Sequence, residues 1–135
     1  MKTSTHSLIQ HYYEYFNQGD IPAFLNLLNE DIVHDINQGE TEIGRQAFAT
    51  FMDRMDTAYQ EHIEDLTIMT TPDGDRAAAE FTVIGTYKKT DYNLPTAKNQ
   101  SYSLRCGAFF EIKNGKISRV TNYYNLNDWL KQIKE

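Results

Sequence analysis

Residues 100–125 read QSYSLRCGAFFEIKNGKISRVTNYYN, two runs rich in β-branched and aromatic side chains on either side of Asn114-Gly115. Asn-Gly is the strongest short hairpin signal, because both residues tolerate the positive φ that a tight two-residue turn needs. The stretch therefore predicts a strand over 100–112 paired antiparallel with one over 116–125. Upstream, 62–70 and 76–88 have the same composition, and Pro72-Asp73-Gly74-Asp75 supplies the turn between them.

The first half of the chain has the other period. Leu8, Ile9, Tyr12, Tyr13 and Phe16 fall on one helical stripe, so a helix is predicted over 4–17, with Gly19 closing it. Asp20 as N-cap, Pro22 in the first turn and Phe24, Leu27 and Leu28 on one face predict a second helix over 21–29. Ala47, Phe48, Phe51, Met52 and Met55 repeat the stripe to about residue 57, and a last helix from about Asn127 turns Trp129, Leu130 and Ile133 inward. Between the second and third helices, 31–38 reads as a strand, followed by a turn bracketed by Gly39 and Gly44. Helices followed by strands predict an α+β fold: a curved, mixed but mostly antiparallel sheet closed by three N-terminal helices, with a short C-terminal helix and a pocket between the layers. With 135 residues and no linker, 1–135 is expected to be a single domain.

Composition narrows the function classes. A net charge of −6, from 13 basic and 19 acidic residues, argues against a nucleic-acid surface, which needs clustered Lys and Arg. A single cysteine, Cys106, permits no internal disulfide and reads as inert core packing. The N-terminus lacks the apolar segment of a secretory signal, and no apolar run reaches membrane-spanning length, so the expected location is cytoplasmic. His6, His11 and His62 are scattered without metal-ligand spacing, and neither a Gly-rich phosphate loop nor a G-x-S-x-G elbow occurs. Nine tyrosines suit an amphipathic cavity whose apolar walls carry hydroxyls.

The strand 31–38 carries the candidate chemistry. Period-two alternation puts Val33, Asp35 and Asn37 on one side and Ile32, His34 and Ile36 on the other, and Asp35 is expected to face the interior beside Val33. A carboxylate in an apolar cleft gains proton affinity and is suited to take a proton from carbon next to a carbonyl. The bland alternative is a structural acid that caps the turn at Gly39 or pairs with Arg105. Neighbours on a strand face opposite ways, so His34 and Asp35 form no dyad, and His34 reads as a structural or interface residue. On 100–112, Ser101, Ser103, Arg105, Gly107 and Phe109 share one face; Tyr102, Leu104, Cys106, Ala108, Phe110 and Ile112 share the other.

Several of these segments, taken in order, resemble one superfamily. Tyr12 followed by Asn17-Gln18-Gly19-Asp20, then Val33-His34-Asp35, Gly44-Arg45-Gln46-Ala47-Phe48 and Asn114-Gly115-Lys116-Ile117 resemble the ketosteroid isomerase and SnoaL-like cyclases, whose cone-shaped α+β fold is shared with nuclear transport factor 2. His34-Asp35-Ile36-Asn37-Gln38-Gly39 with Thr121-Asn122-Tyr123-Tyr124-Asn125-Leu126 is similar to bacterial proteins described as ketosteroid-isomerase-related. The resemblance implies that Asp35 is the catalytic base and Tyr12 the phenol that donates to the developing oxyanion. It places Gly107 where the isomerase keeps a second acid, so one oxyanion donor is missing. If Gly107 faces the cavity, so does Arg105, whose guanidinium replaces the lost acid, with Val120, Asn122 and Tyr124 on the same side. The expected site is then Asp35 and Tyr12 as catalytic residues, with Arg105, Asn122, Tyr124, Phe109 and Val33 contacting the ligand.

Two functions follow as expectations. One is an enzyme of the isomerase, cyclase or dehydratase type acting on a small carbonyl or carboxylate compound without cofactor or metal. The other is a non-catalytic binding or scaffold domain. Epoxide hydrolysis, as in the limonene-epoxide-hydrolase branch of the same fold, is weaker because only one suitable acid and one Arg are visible. The apolar face with Tyr102, Leu104, Ala108, Phe110 and Ile112 is expected to pair two copies as a homodimer, and the loop 88–99, with Tyr92, Leu94 and Pro95, to cover the cavity mouth.

Overall fold

Helices start where a short polar side chain takes up a free amide. Ser4 accepts from the Ser7 N–H to open α1 (Thr5–Gln18), and Asp20 accepts from the Ala23 N–H to open α2 (Ile21–Asn26). Gly19, at φ +72°, ends α1 in the left-handed region, its amide donating to the Phe16 carbonyl. α3 spans Arg45–Ala58, and α4 spans Leu126–Ile133 behind an Asn125 cap that accepts from the Asp128 N–H. The computed structural model describes residues 4–134, in which these four helices pack on one six-stranded sheet.

The strands are β1 (Leu28–Asp35), β2 (Thr41–Ile43), β3 (Tyr59–Thr70), β4 (Arg76–Tyr87), β5 (Gln100–Lys113) and β6 (Lys116–Tyr124), in sheet order β2-β1-β6-β5-β4-β3. β1 and β6 run parallel; every other neighbouring pair is antiparallel. The sheet is curved and does not close on itself. The expected elements are present, with β3 starting at Tyr59 instead of 62, β1 ending at Asp35 instead of 38, and two larger differences. Helix α2 stops at Asn26, so Leu28 opens β1 instead of ending the helix, and the expected turn after Gly39 contains β2, whose Thr41–Ile43 pairs back onto Val33–Asp35.

The core lies between the helices and one face of the sheet. Phe24 from α2, Ile32 from β1, Phe110 from β5 and Val120 from β6 are all fully buried there. This inner face takes Tyr102, Leu104, Cys106, Ala108 and Phe110 from β5, and its partner row Ala79, Phe81 and Val83 from β4. The expectation that the even-numbered face of β5 is exposed and dimerises is corrected by this packing. That face is the core, as its apolar character dictates, and Ser101, Ser103, Arg105 and Phe109 point outward.

Candidate active site

Helices and sheet enclose a cavity of about 360 Å³. Its walls are rich in aromatic rings, because α1 turns Tyr12, Tyr13 and Phe16, α2 Phe24, and α3 Phe48 and Phe51 toward the inner face of the sheet. Trp129 of α4 also lines it, edge-on to Tyr59, Tyr87 and Tyr102 with ring centroids 5.9, 5.6 and 5.9 Å away.

Two buried polar atoms in this wall have no partner among the described residues: Nδ1 of His34 and the hydroxyl of Tyr13. The His34 ring is 2% exposed, stacked on Phe48 with centroids 4.2 Å apart and edge-on to Phe51 at 4.7 Å. Burial lowers its pKa to about 4, with the charge of Asp35 pulling weakly the other way, so the imidazole is neutral at physiological pH. An unpaired buried donor or acceptor costs about 1–3 kcal/mol, a cost that a ligand supplying the missing partner removes.

Other polar groups of the wall are already engaged or shielded. Tyr12 lies edge-on to Tyr13 and Phe110, and desolvation raises its phenol well above the usual range. Asp91 accepts from the Tyr59 hydroxyl at 2.9 Å and has the Arg54 Nε at 3.6 Å, while the Arg54 guanidinium lies over the rings of Phe51 and Tyr92. Glu61 of β3 accepts from the Tyr102 hydroxyl at 2.6 Å, and burial raises its carboxyl above the ordinary carboxylate range against that hydrogen bond. The Cys106 thiol is pushed up to about 12 by burial and the nearby Glu61, which makes it a poor nucleophile. Among the described residues, no three His, Cys, Asp or Glu side chains come close enough to hold a metal ion.

The structure brings together only part of the expected site. Tyr12, Asn122 and Tyr124 line the cavity, and the Asn37 amide donates to the Tyr124 carbonyl at 2.9 Å. Asp35, Val33, Arg105 and Phe109 do not line it. In β1 the alternation runs opposite to the expectation: Ile32 and His34 are buried on the inner face, and Val33 and Asp35 lie on the outer one. The Asp35 carboxylate accepts from Thr41 at 2.7 Å and Thr121 at 2.6 Å, and these hydrogen bonds lower its pKa.

Arg105 and Asn122 part company for a geometric reason. Lys113 pairs with Lys116 and Ile112 with Ile117, but a register shift at Glu111 makes Arg119 its partner, so Ala108 rather than Gly107 faces Asn122. One extra residue at Ser118 flips every side chain beyond it to the other face. Gly107 reaches the cavity only through its backbone edge, and a side chain there would point toward the Ala79 carbonyl at 3.8 Å. Of the loop 88–99, Asp91 and Leu94 line the cavity, while Tyr92 is 79% exposed.

The polar wall residues His34 and Glu61, like Tyr13, Arg54, Asp56 and Asp91, were outside the expected site. The signal for Glu61 was present, since it alternates with Tyr59 and Ile63 as an acid on an otherwise apolar face of a strand. His34 shares the apolar side of β1 with Ile32, which is the same kind of signal.

The sequence matches the family model of the SnoaL-like domain over residues 9–120. The chain belongs to the SnoaL-like family. Its fold is the nuclear transport factor 2-like one. A provisionally named polyketide cyclase from Pseudomonas putida KT2440 is 55% identical and superposes with a TM-score of 0.96, over 97% of this chain and 98% of that one. A second structure with the same provisional name, from Xanthomonas campestris pv. campestris, is 49% identical with a TM-score of 0.93, over 96% of each chain. An LEH-like epoxide hydrolase from M. tuberculosis shares the fold at 15% identity, with a TM-score of 0.77 over 98% of this SnoaL-like chain and 89% of its own. No protein of curated function matches the sequence.

Proposed function

We propose that this SnoaL-like protein is an enzyme of the cyclase or isomerase type, which removes a proton next to the carbonyl of a small compound held in the cavity. The observation that carries the reading is His34: a neutral imidazole, sealed in an aromatic wall, with a ring nitrogen that lacks a partner. A neutral imidazole N–H donates to a carbonyl oxygen and gains strength as negative charge develops there, without the cost of burying a cation. Tyr12, Asn122 and Tyr124 line the same cavity and orient the substrate by contact and hydrogen bonding. The provisional names of the relatives at 55% and 49% identity support cyclisation, which begins with the same proton removal.

The test is a thermal-shift series of cyclic enones and keto esters with wild-type protein and His34→Phe. A compound that binds only the folded state raises Tm by mass action, and the substitution is expected to diminish that rise for carbonyl ligands. Equal shifts in both proteins would leave the cavity as a binding site in which His34 plays no part.

The same reading extends to assembly. The outer face of the sheet exposes Phe109 (48%) and Tyr123 (57%), in edge-to-face contact at 5.8 Å, beside Met69 (53%). We infer a homodimer through this face, which lies opposite the one read from the sequence.

A further inference from the structure

Proton removal needs a base, and three carboxylates line the cavity: Asp56, Glu61 and Asp91. Asp91 is held by Tyr59 and Arg54, and Asp56 is an exposed residue near the end of α3. Glu61 differs from both. It sits on the inner face of β3 between Tyr59 and Ile63, has no cation within salt-bridge distance among the described residues, and uses one carboxyl oxygen to accept from Tyr102.

The Tyr102 contact requires a gap in the sheet. Glu61 pairs with Gly85 across β3 and β4, and Gly85 pairs with Tyr102 across β4 and β5. Tyr102 therefore lies across the strand between them. A Cβ on Gly85 would stand 2.3 Å from the Tyr102 ring and 2.5 Å from its hydroxyl oxygen. Only glycine leaves the ring room to lie flat and reach Glu61, and Trp129 backs it edge-on at 5.9 Å.

Resting on the proton-transfer reading of the cavity, we propose that Glu61 is the catalytic base and that Tyr102, lying over Gly85, is the residue that positions it. The Glu61 carboxylate takes a proton from the carbon next to the substrate carbonyl: the C–H bond breaks, an O–H bond forms on Glu61, and the electron pair moves into an enolate whose oxygen accepts from His34. Return of that proton to a different carbon completes an isomerisation. Attack of the enolate carbon on a second carbonyl completes a cyclisation, the Glu61 proton going to the new alkoxide. Burial suits the carboxyl to this task by strengthening its hold on a proton, and the Tyr102 hydrogen bond moderates the effect. The titratable groups around it are Tyr59 on β3, Tyr102 and Cys106 on β5 and Tyr124 on β6, with the Arg54–Asp91 pair also in the cavity wall.

The experiment is a carbon-13 NMR titration of side-chain-labelled glutamate in the whole protein, with Glu61 assigned by loss of its signal in Glu61→Gln. The expected result is one carboxyl that titrates above the ordinary glutamate range and whose midpoint rises further in Tyr102→Phe, since the variant deletes a bond to the ionised form. The acid limb of the rate of deuterium incorporation into a cyclic enone is expected to shift upward with it. A Glu61 midpoint in the ordinary range, or one indifferent to Tyr102→Phe, overturns the proposal. So does an exchange rate unchanged in Glu61→Gln; in that case the role of His34 stands, because it is read separately from His34→Phe.

Discussion

Asp35 and Thr121 are register partners in the parallel β1–β6 pair, and the Thr121 hydroxyl donates to the Asp35 carboxylate at 2.6 Å on the outer face of the sheet. Thr41, the partner of Asp35 on β2, donates to its other oxygen at 2.7 Å. Arg119 donates to both Thr121 and Glu111, so one polar chain ties β2, β1, β6 and β5 together away from the cavity. Asp35→Ala is therefore expected to cost about 1–2 kcal/mol of stability, as loss of hydrogen bonds to a partly exposed carboxylate does. Urea unfolding measures this, and turnover per folded molecule should stay at the wild-type level.

Gly85→Ala is expected to destabilise by about 1–3 kcal/mol, because the new methyl group meets the Tyr102 ring inside contact distance. Tyr102→Ala alone opens a cavity under Trp129 and costs about 3–5 kcal/mol. Once the ring is gone the methyl group has nothing to strike, so the double variant should cost less than the sum. Additive losses in denaturant unfolding would mean that Tyr102 does not depend on the gap at Gly85.

His34 predicts an acid weakness. Its pKa is about 4 in the folded state against an ordinary 6.5, so the unfolded chain binds the proton more tightly. The native state loses stability as pH falls from 6.5 toward 4, by about 3 kcal/mol when the whole window has been crossed. His34→Phe has no proton to take up, and its unfolding free energy should be flatter over that range. Parallel pH profiles for variant and wild type would contradict the burial of the imidazole.

Phe109→Asp and Tyr123→Asp place a charge on the outer face, where both aromatic rings are solvent-exposed in one chain. The expected outcome is a shift from dimer to monomer in sedimentation equilibrium, with the helical signal and thermal unfolding of the chain retained. A wild-type protein that sediments as a monomer would remove the proposed interface.

The elements were legible in the sequence because each rests on local chemistry: Asn114-Gly115 closes a hairpin, Asp20 caps a helix, and the Phe48, Phe51 and Met52 stripe needs a core. What misled was facing. An extra residue at Ser118 moves Asn122 from the side of Gly107 to that of Ala108, and no composition signal marks a bulge of that kind. For β1 and β5 the polarity of the strands did point the right way. His34 follows Ile32 inward, and the serines and Arg105 of β5 face outward; the error for β1 was to let Val33 rather than Ile32 set the inner side, and for β5 to follow the resemblance, which implied a cavity-facing Gly107. Glu61 shows in the sequence as an acid between Tyr59 and Ile63, but the partnership that holds it is hidden by distance, since it depends on Gly85 and Tyr102 on two other strands.

The most direct measurement compares deuterium incorporation next to the carbonyl of cyclic enones, followed by proton NMR, for wild type, His34→Phe and Asp35→Asn. Exchange above the buffer rate by wild type and Asp35→Asn, with a fall of about 100-fold or more in His34→Phe, is the result that a cavity-centred proton transfer predicts. Exchange that survives in His34→Phe and vanishes in Asp35→Asn would contradict it and move the chemistry to the outer face of the sheet.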